Sequence, residues 1–282
     1  MIQQELMKLL QDFSAISLDQ LNSSAKFMER IETKYILDKK QIKAFFKKAL
    51  KKYYILQMNN KLMFAYKNTY MDTKDYLFYH QHEQKKDKRI KLRTRQYVES
   101  GDSFVEYKQK EGRLVRKFRY QCPTSDYGKM TDNAHKFYAK LMQDFNTKHS
   151  KKIVSPSLAT NYQRITLCSR NSDERVTVDF NIHLEDLRNT KAEPKKLDHF
   201  AIVESKSTND KCTSHRIMKK IGVRPAKNCS KYCLGIYYFK RAKSWKTFQR
   251  TIANIEKMKQ KALPHPITFT KQKEKTVRAV AA

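Results

Sequence analysis

The sequence predicts an α+β fold whose antiparallel strands share one charged face. Three observations lead there. First, charged residues recur at every second position in Arg30-Ile31-Glu32-Thr33-Lys34, Arg89-Ile90-Lys91-Leu92-Arg93-Thr94-Arg95, Glu106-Tyr107-Lys108-Gln109-Lys110, Lys117-Phe118-Arg119, Arg175-Val176-Thr177-Val178-Asp179 and Glu204-Ser205-Lys206. Successive side chains on a strand point to opposite faces, so each segment gathers its charges on one side. Second, Gly, Asn and Asp clusters separate these segments, as turns require. Third, stretches with apolar residues three and four apart precede, interrupt and follow them, which is helical spacing.

In chain order, residues 2–13 read as an amphipathic helix, with Leu6, Leu9, Leu10 and Phe13 on one side. Ser17 is the expected N-cap of a second short helix. Residues 26–37 form the first alternating strand, and Asp38 caps a helix running to about residue 52. Residues 54–58 and 61–64 read as a hairpin around Asn59-Asn60, a pair that tolerates positive φ. A strand at 67–72, a turn and short helix over 73–82, and a meander at 89–98, 103–110 and 113–121 follow, with turns at Gly101 and Gly112. Residues 125–146 read as helix, 153–159 and 161–169 as strand, 174–182 as its partner, and 200–206 as strand. A helix over 215–220 stops at Gly222, residues 232–239 read as the last strand, and 241–262 as a basic helix before a disordered tail. The expected organisation is thus an N-terminal helical segment (1–25), one β-rich domain (26–240) and a basic C-terminal segment (241–282).

Composition narrows the function. Lys and Arg total 60 against 28 acidic residues, a formal charge of +32, so an anionic partner is expected. Many of the lysines sit on helix faces or in loops and read as solvated surface. No long apolar run exists, which predicts no transmembrane helix, and the amphipathic start lacks a signal-peptide core. Cys122, Cys168, Cys212, Cys229 and Cys233 are irregularly spaced, which suggests reduced thiols in a cytoplasmic protein. Cys212, His215, Cys229 and Cys233 have poor zinc spacing and read as buried small residues. No nucleophile–base constellation and no Walker-type loop occurs, and His80, His82, His135 and His183 are scattered. Charged faces on so many strands suggest a shared cavity for a polyanion and its divalent cation; the alternative is a sheet face laced with cross-strand ion pairs.

The order of these motifs adds a resemblance. Arg30-x-Glu32-Thr33-Lys34-Tyr35, Tyr70-Met71-Asp72-Thr73, Lys91-Leu92-Arg93-Thr94-Arg95-x-Tyr97, Phe104-Val105-Glu106-Tyr107-Lys108, Lys117-x-Arg119, Asn161-Tyr162-x-Arg164-Ile165-Thr166, Arg175 to Asp179, Val203-Glu204-Ser205-Lys206 and Ser230-Lys231-Tyr232-Cys233-Leu234-Gly235 resemble the bacterial VTC-type polyphosphate polymerase domain, within the CYTH-like triphosphate tunnel superfamily. The resemblance covers roughly residues 14–240. Met71 and Ser205 depart from the commoner family residues at positions expected to face outward.

The resemblance implies an antiparallel β-barrel, a triphosphate tunnel with flanking helices, whose bore holds Lys, Arg and Glu. The implied activity is an ATP-dependent polyphosphate polymerase that moves the γ-phosphate of ATP onto a growing chain, with Mn²⁺ or Mg²⁺. The expected phosphate clamp is Lys34, Arg93, Arg95, Lys108, Arg164, Arg175, Lys206 and Lys231, supported by Arg30, Lys91, Lys110, Lys117 and Arg119. Glu204 is the first expected metal ligand, then Glu106 and Glu32, since hard cations take carboxylate oxygens. Asp72 and Asp179 are either ligands or turn-capping and ion-pairing residues. Tyr70, Tyr97, Tyr162 and Tyr232 are expected to pack. The implied partners are ATP and inorganic polyphosphate, with no specific nucleic acid; residues 241–282 are open to a membrane-protein partner. A tunnel triphosphatase and a non-catalytic polyanion or nucleic-acid binder are the competing readings.

Overall fold

The architecture follows from a computed structural model that describes residues 2–23, 31–112, 114–145, 152–209 and 211–262. Two helices and a short strand open the chain: α1 (Ile2–Gln11), β1 (Ala15–Ile16) and α2 (Leu18–Ser23). Then come β2 (Ile31–Asp38), α3 (Lys39–Ala49), β3 (Tyr53–Leu56), β4 (Phe64–Thr73) and α4 (Leu77–Glu83). The meander is β5 (Arg89–Tyr97), β6 (Ser103–Glu111) and β7 (Leu114–Cys122), followed by α5 (Asp132–Asp144). Strands β8 (Val154–Ser169), β9 (Glu174–Asp186), β10 (Lys195–Leu197) and β11 (Phe200–Ser207) precede helices α6 (Thr213–Lys220), α7 (Lys231–Tyr238) and α8 (Gln249–Lys261). The fold is α+β, with one large, almost wholly antiparallel sheet and flanking helices.

The principal strand order is β2-β11-β9-β8-β4-β5-β6-β7. The sheet is not closed by a ladder between β2 and β7. Instead Glu32 on β2 accepts from Lys108 Nζ on β6 at 3.0 Å and Lys117 Nζ on β7 at 3.1 Å. Ion pairs bring the two margins of the sheet together around a tunnel-like concave face.

The convex side is apolar. Tyr35, Leu37, Val176, Val178, Ala201 and Val203 pack under α1, α3 and α6 in one core cluster. Ile90, Leu92, Val105 and Tyr107 pack under α4 and α5 in another. Asp38 caps α3 through a capping box with Gln41, its side chain accepting from Gln41 N at 2.8 Å while Gln41 Oε1 accepts from Asp38 N at 3.1 Å. Asp38→Ala should cost about 1 kcal/mol, read by urea unfolding.

The strand expected at 232–239 is helix α7. Its run Tyr232-Cys233-Leu234 suits either structure by periodicity. Ser230 settles it locally, accepting from Cys233 N as an N-cap, and tertiary packing does the rest. A Cβ on Gly235 would stand 2.3 Å from Leu158 Cδ2, so the helix lies hard against β8. Leu158 is buried and hemmed in, so Gly235→Ala should cost about 1–3 kcal/mol through overpacking, measurable in the same unfolding assay.

Other boundaries differ too. The helix expected from 125 begins at Asp132, because Gly128 takes φ 82° and Thr131 supplies the N-cap, accepting from Ala134 N. The Asn59-Asn60 turn closes only the single bridge Met58–Lys61; β3 pairs with β1 and β8, and β4 with β5 and β8, so no hairpin of strands forms there. Segments 153–159 and 161–169 are one strand, β8. Strands β1 and β10 carry too few residues to signal themselves in the sequence. The first residues of the expected opening strand, Arg30 among them, and the expected tail beyond 262 lie outside the described residues.

Candidate active site

The concave face is built by alternation. Register places Lys34 opposite Glu204 and Glu32 opposite Lys206 across β2 and β11, and Lys206 opposite Arg175 across β11 and β9. Arg164 faces Asp179 across β8 and β9, Arg93 faces Glu106, and Glu106 in turn faces Arg119. Lys91, Lys108 and Lys117 lie in line across β5, β6 and β7, with Lys110 two residues beyond Lys108 on the same face.

Two ends of this face differ. Beyond Lys34 and Glu204 the alternation continues as Ile36 and Ile202, which join Tyr70, Leu158, Leu184 and Phe200 around Tyr232, Cys233 and Ile236 of α7. Helix α7 therefore covers one apolar end of the concave face, Leu21 of α2 packs with Phe64 and Cys168 towards the other, and the charges lie between. Strand β9 keeps apolar residues on that face only by switching parity. Asn181, with φ 50°, forms a bulge opposite Tyr162, so residues 175, 177 and 179 and then 182 and 184 share one side. Asn and Asp tolerate this left-handed conformation better than other L-residues.

Each carboxylate holds named cations. Glu204 takes Lys34 at 3.1 Å and Lys206 at 2.9 Å. Glu106 receives Nε and Nη2 of Arg93 at 2.8 and 2.7 Å, and Arg95 Nη1 lies 3.8 Å from its other oxygen. Asp179 receives Arg164 in a bidentate pair at 2.6 and 2.8 Å and also binds Lys231 at the start of α7. The neutral partners are equally ordered. Arg93 Nη1 donates to Tyr70 Oη at 3.1 Å, Arg95 Nε to Asn68 Oδ1 at 2.9 Å, and Lys91 Nζ to Ser230 Oγ at 3.2 Å. Arg164 lies over the Tyr66 ring at 4.9 Å, and Lys231 over Tyr162 at 4.3 Å. Arg175 Nη2 donates to the Leu21 carbonyl of α2 at 2.6 Å. The tyrosines thus pack, as expected, and Tyr70 and Tyr232 stack at 5.0 Å.

Electrostatics keep this face ionised. Burial and the neighbouring Glu204 push Glu32 up, but Lys108, Lys117 and Lys206 outweigh them and hold it at about 2. Burial raises Glu106 and Asp179, yet Arg93 with Arg95, and Arg164 with Lys231, bring each to about 2. Glu204 falls well below its usual range; Lys34 and Lys206 overcome its burial. Burial depresses Lys91 and Lys108 to about 8. Both stay mostly charged at pH 7 and lose their protons as pH rises through 8. Affinity for a triphosphate should therefore fall between pH 7 and pH 9, by about tenfold for each of the two lysines, as titration calorimetry with tripolyphosphate would read.

The two uncommitted aspartates have structural partners. Asp72 accepts from Thr73, Phe78 and Tyr79 N at the start of α4 and from Tyr232 Oη, so it caps α4 and ties it to α7. Asp179 is an ion-pairing residue. The three glutamates do not converge. Glu32 and Glu204 feel each other's charge, whereas Glu106 sits among Arg93, Arg95 and Arg119. Among the described residues no group of three or more His, Cys, Asp or Glu side chains could hold a metal. The cysteines are all free and buried, as expected of small apolar residues. Sequence reasoning passed over Asn68, Tyr66 and Ser230 as partners of the basic residues. Asn68 and Tyr66 share the alternation of Tyr70 on β4, and that parity was the available signal.

The family model described as VTC domain matches residues 29–240. No curated protein matches the chain. Among solved structures, a candidate adenylate cyclase from Bacillus halodurans is 12% identical, with a TM-score of 0.43 over 79% of this chain and 98% of that one. A candidate adenylyl cyclase from Hippeastrum, described as having a dominant triphosphatase activity, is 10% identical, with a TM-score of 0.44 over 73% and 95%. The PH1012 protein from Pyrococcus horikoshii is 15% identical, with a TM-score of 0.37 over 70% and 92%. No helix among the described residues is long and apolar enough to cross a membrane.

Proposed function

The chain belongs to the VTC domain family of triphosphate-tunnel proteins, and from that premise we propose that it is an ATP-dependent polyphosphate polymerase. The observation that carries the reading is the concave face. Among the described residues, basic side chains from β2, β5, β6, β7, β8, β9, β11 and α7 outnumber the carboxylates between them there, Glu32, Glu106, Asp179 and Glu204. That excess suits a substrate carrying several negative charges. In the reaction, a terminal oxygen of the chain attacks the γ-phosphorus of ATP. The bond from that phosphorus to the β,γ-bridging oxygen breaks, and ADP leaves. No protein nucleophile is required, so the residues' work is placement and charge neutralisation. We assign residues 26–240 to this unit, flanked by 1–25 and 241–282.

Arg93 and Arg95 are the central clamp in this reading. Their guanidinium planes are fixed from behind by Glu106, Tyr70 and Asn68, which leaves little reorganisation when phosphate arrives. Arg164 and Lys231, anchored on Asp179, would neutralise charge near α7, and Lys34, Lys206 and Lys108 along the opposite strands. Glu204 and Glu32 fit a hard divalent cation, Mn²⁺ or Mg²⁺. Both are ionised, each carboxylate has lone pairs beyond those its lysines use, and phosphate oxygens can complete the ligand set. Such a cation supplies charge neutralisation on the phosphate oxygens when bound. Glu106 is better suited to orient the arginines.

One observation favours the second reading, a tunnel triphosphatase. Helix α7 covers one end of the concave face, which obstructs the way out of a growing chain at that end. Incubation with ATP and Mn²⁺, followed by gel analysis of the products, separates the two. A polyphosphate ladder is expected; orthophosphate and ADP as sole products would overturn the polymerase reading in favour of hydrolysis.

A further inference from the structure

A cavity of about 540 Å³ lies outside the concave face, where the end of α3, the β8–β9 turn and the start of α6 meet. Lys48, Lys51, Lys52, Arg216 and Lys220 line it, with no Asp or Glu in its wall among the described residues. Nor is any of these five cations engaged in an ion pair among the described residues. This sets them apart from Lys34, Lys108, Lys117, Lys206 and Lys231, each held by a carboxylate. Like charges gathered around one concavity repel, and an anion that enters it relieves the repulsion.

The first turn of α6 is not the attractant. The amides of Thr213 and Ser214 already donate to the buried Glu174 carboxylate at 3.0 and 3.1 Å. The hydroxyls are already engaged, Thr213 Oγ1 accepting from Arg216 Nη2 at 3.2 Å and Ser169 Oγ from Ser172 Oγ at 2.8 Å. What remains on offer is the ring of four lysines, the other guanidinium nitrogens of Arg216 and the Asn171 side-chain amide. These groups match phosphate oxygens. No aromatic ring lines the cavity among the described residues, and Ile217 is its one apolar side chain there. A nucleobase would have nothing to stack on. The chemistry favours a ligand that is densely anionic throughout.

Position adds a second argument. Asn171 and Ser172 belong to the turn between β8 and β9, and Arg175 on the concave face is three residues further on, about 10 Å at the rise of a strand. The cavity therefore lies on the α3 and α6 side of the sheet, near the end at which Arg175 and Lys206 are register partners.

We propose that this cavity is a second binding site for condensed inorganic phosphate, separate from the concave face. The proposal holds whether the concave face polymerises or hydrolyses. The test is calorimetric titration of the full chain with sodium tripolyphosphate, beside an RNA oligonucleotide. The native chain should show two classes of tripolyphosphate site. Lys51→Ala/Lys52→Ala/Arg216→Ala/Lys220→Ala should weaken one class about tenfold or more and leave the other, with ATP turnover and thermal midpoint unchanged. Arg93→Ala/Arg95→Ala should lose the other class and keep this one. Removing the same charge elsewhere, with Lys86→Ala/Lys129→Ala/Lys136→Ala/Lys140→Ala, should leave both. The proposal is overturned by a single class in the native chain, by equal losses in the distant variant, or by a cavity variant that loses RNA binding but keeps both tripolyphosphate classes.

Discussion

Arg93→Ala is expected to lower kcat/KM for ATP by about two to three orders of magnitude, the range seen when one fixed donor to a developing charge is removed. Two effects combine. The planar fork that matches two phosphate oxygens disappears. At the same time Glu106 loses the partner that binds it at 2.7 and 2.8 Å, and its carboxylate then faces the substrate with Arg95 at 3.8 Å and the neighbouring Arg119 to offset it. Arg93→Lys should recover part of the loss, because a point charge still neutralises Glu106 but cannot span two oxygens. Glu106→Gln should cost less than Arg93→Ala, since the cation remains and only its orientation loosens. Steady-state rates of ADP formation across these three variants test the order. A Glu106→Gln defect larger than that of Arg93→Ala would move the essential chemistry from the arginine to the carboxylate.

Asp179→Asn is expected to give the largest loss of stability, about 3–5 kcal/mol in urea unfolding. Asp179 is 2% exposed and is the shared counter-ion of Arg164 and Lys231, both themselves largely buried. Removing its charge leaves two cations facing each other on a face already rich in them. The arrangement also predicts a rescue. A polyanion bound on the concave face would replace the missing charge, so tripolyphosphate should stabilise the variant more than it stabilises the native chain. An unfolding midpoint that is unchanged, or a variant no more responsive to tripolyphosphate than the native chain, would show that Arg164 and Lys231 find other partners.

Much of this site was legible in the sequence because hairpins convert turn position into register. A turn over 170–173 sets Cys168 opposite Arg175 and therefore Arg164 opposite Asp179. The turn near Gly101 sets Arg93 opposite Glu106 in the same way. Both ion pairs follow from strand parity and a counted turn. Three features were not legible. Tyr232-Cys233-Leu234 has no periodicity that separates strand from helix, and the choice rests on Gly235 meeting Leu158, a contact between residues far apart in sequence. The change of parity at Asn181 depends on a left-handed residue within an otherwise regular strand. The junction of Glu32 with Lys108 and Lys117 depends on the curvature of the whole sheet, which no local pattern encodes.

The phosphate balance of the ATP reaction tests the central claim most directly. With γ-labelled ATP and Mn²⁺, ADP, free orthophosphate and acid-stable polymer are measured together over time. Transfer to a chain predicts ADP formed well in excess of orthophosphate, with the missing label recovered in polymer. One orthophosphate released for every ADP, with no label in polymer, would contradict it.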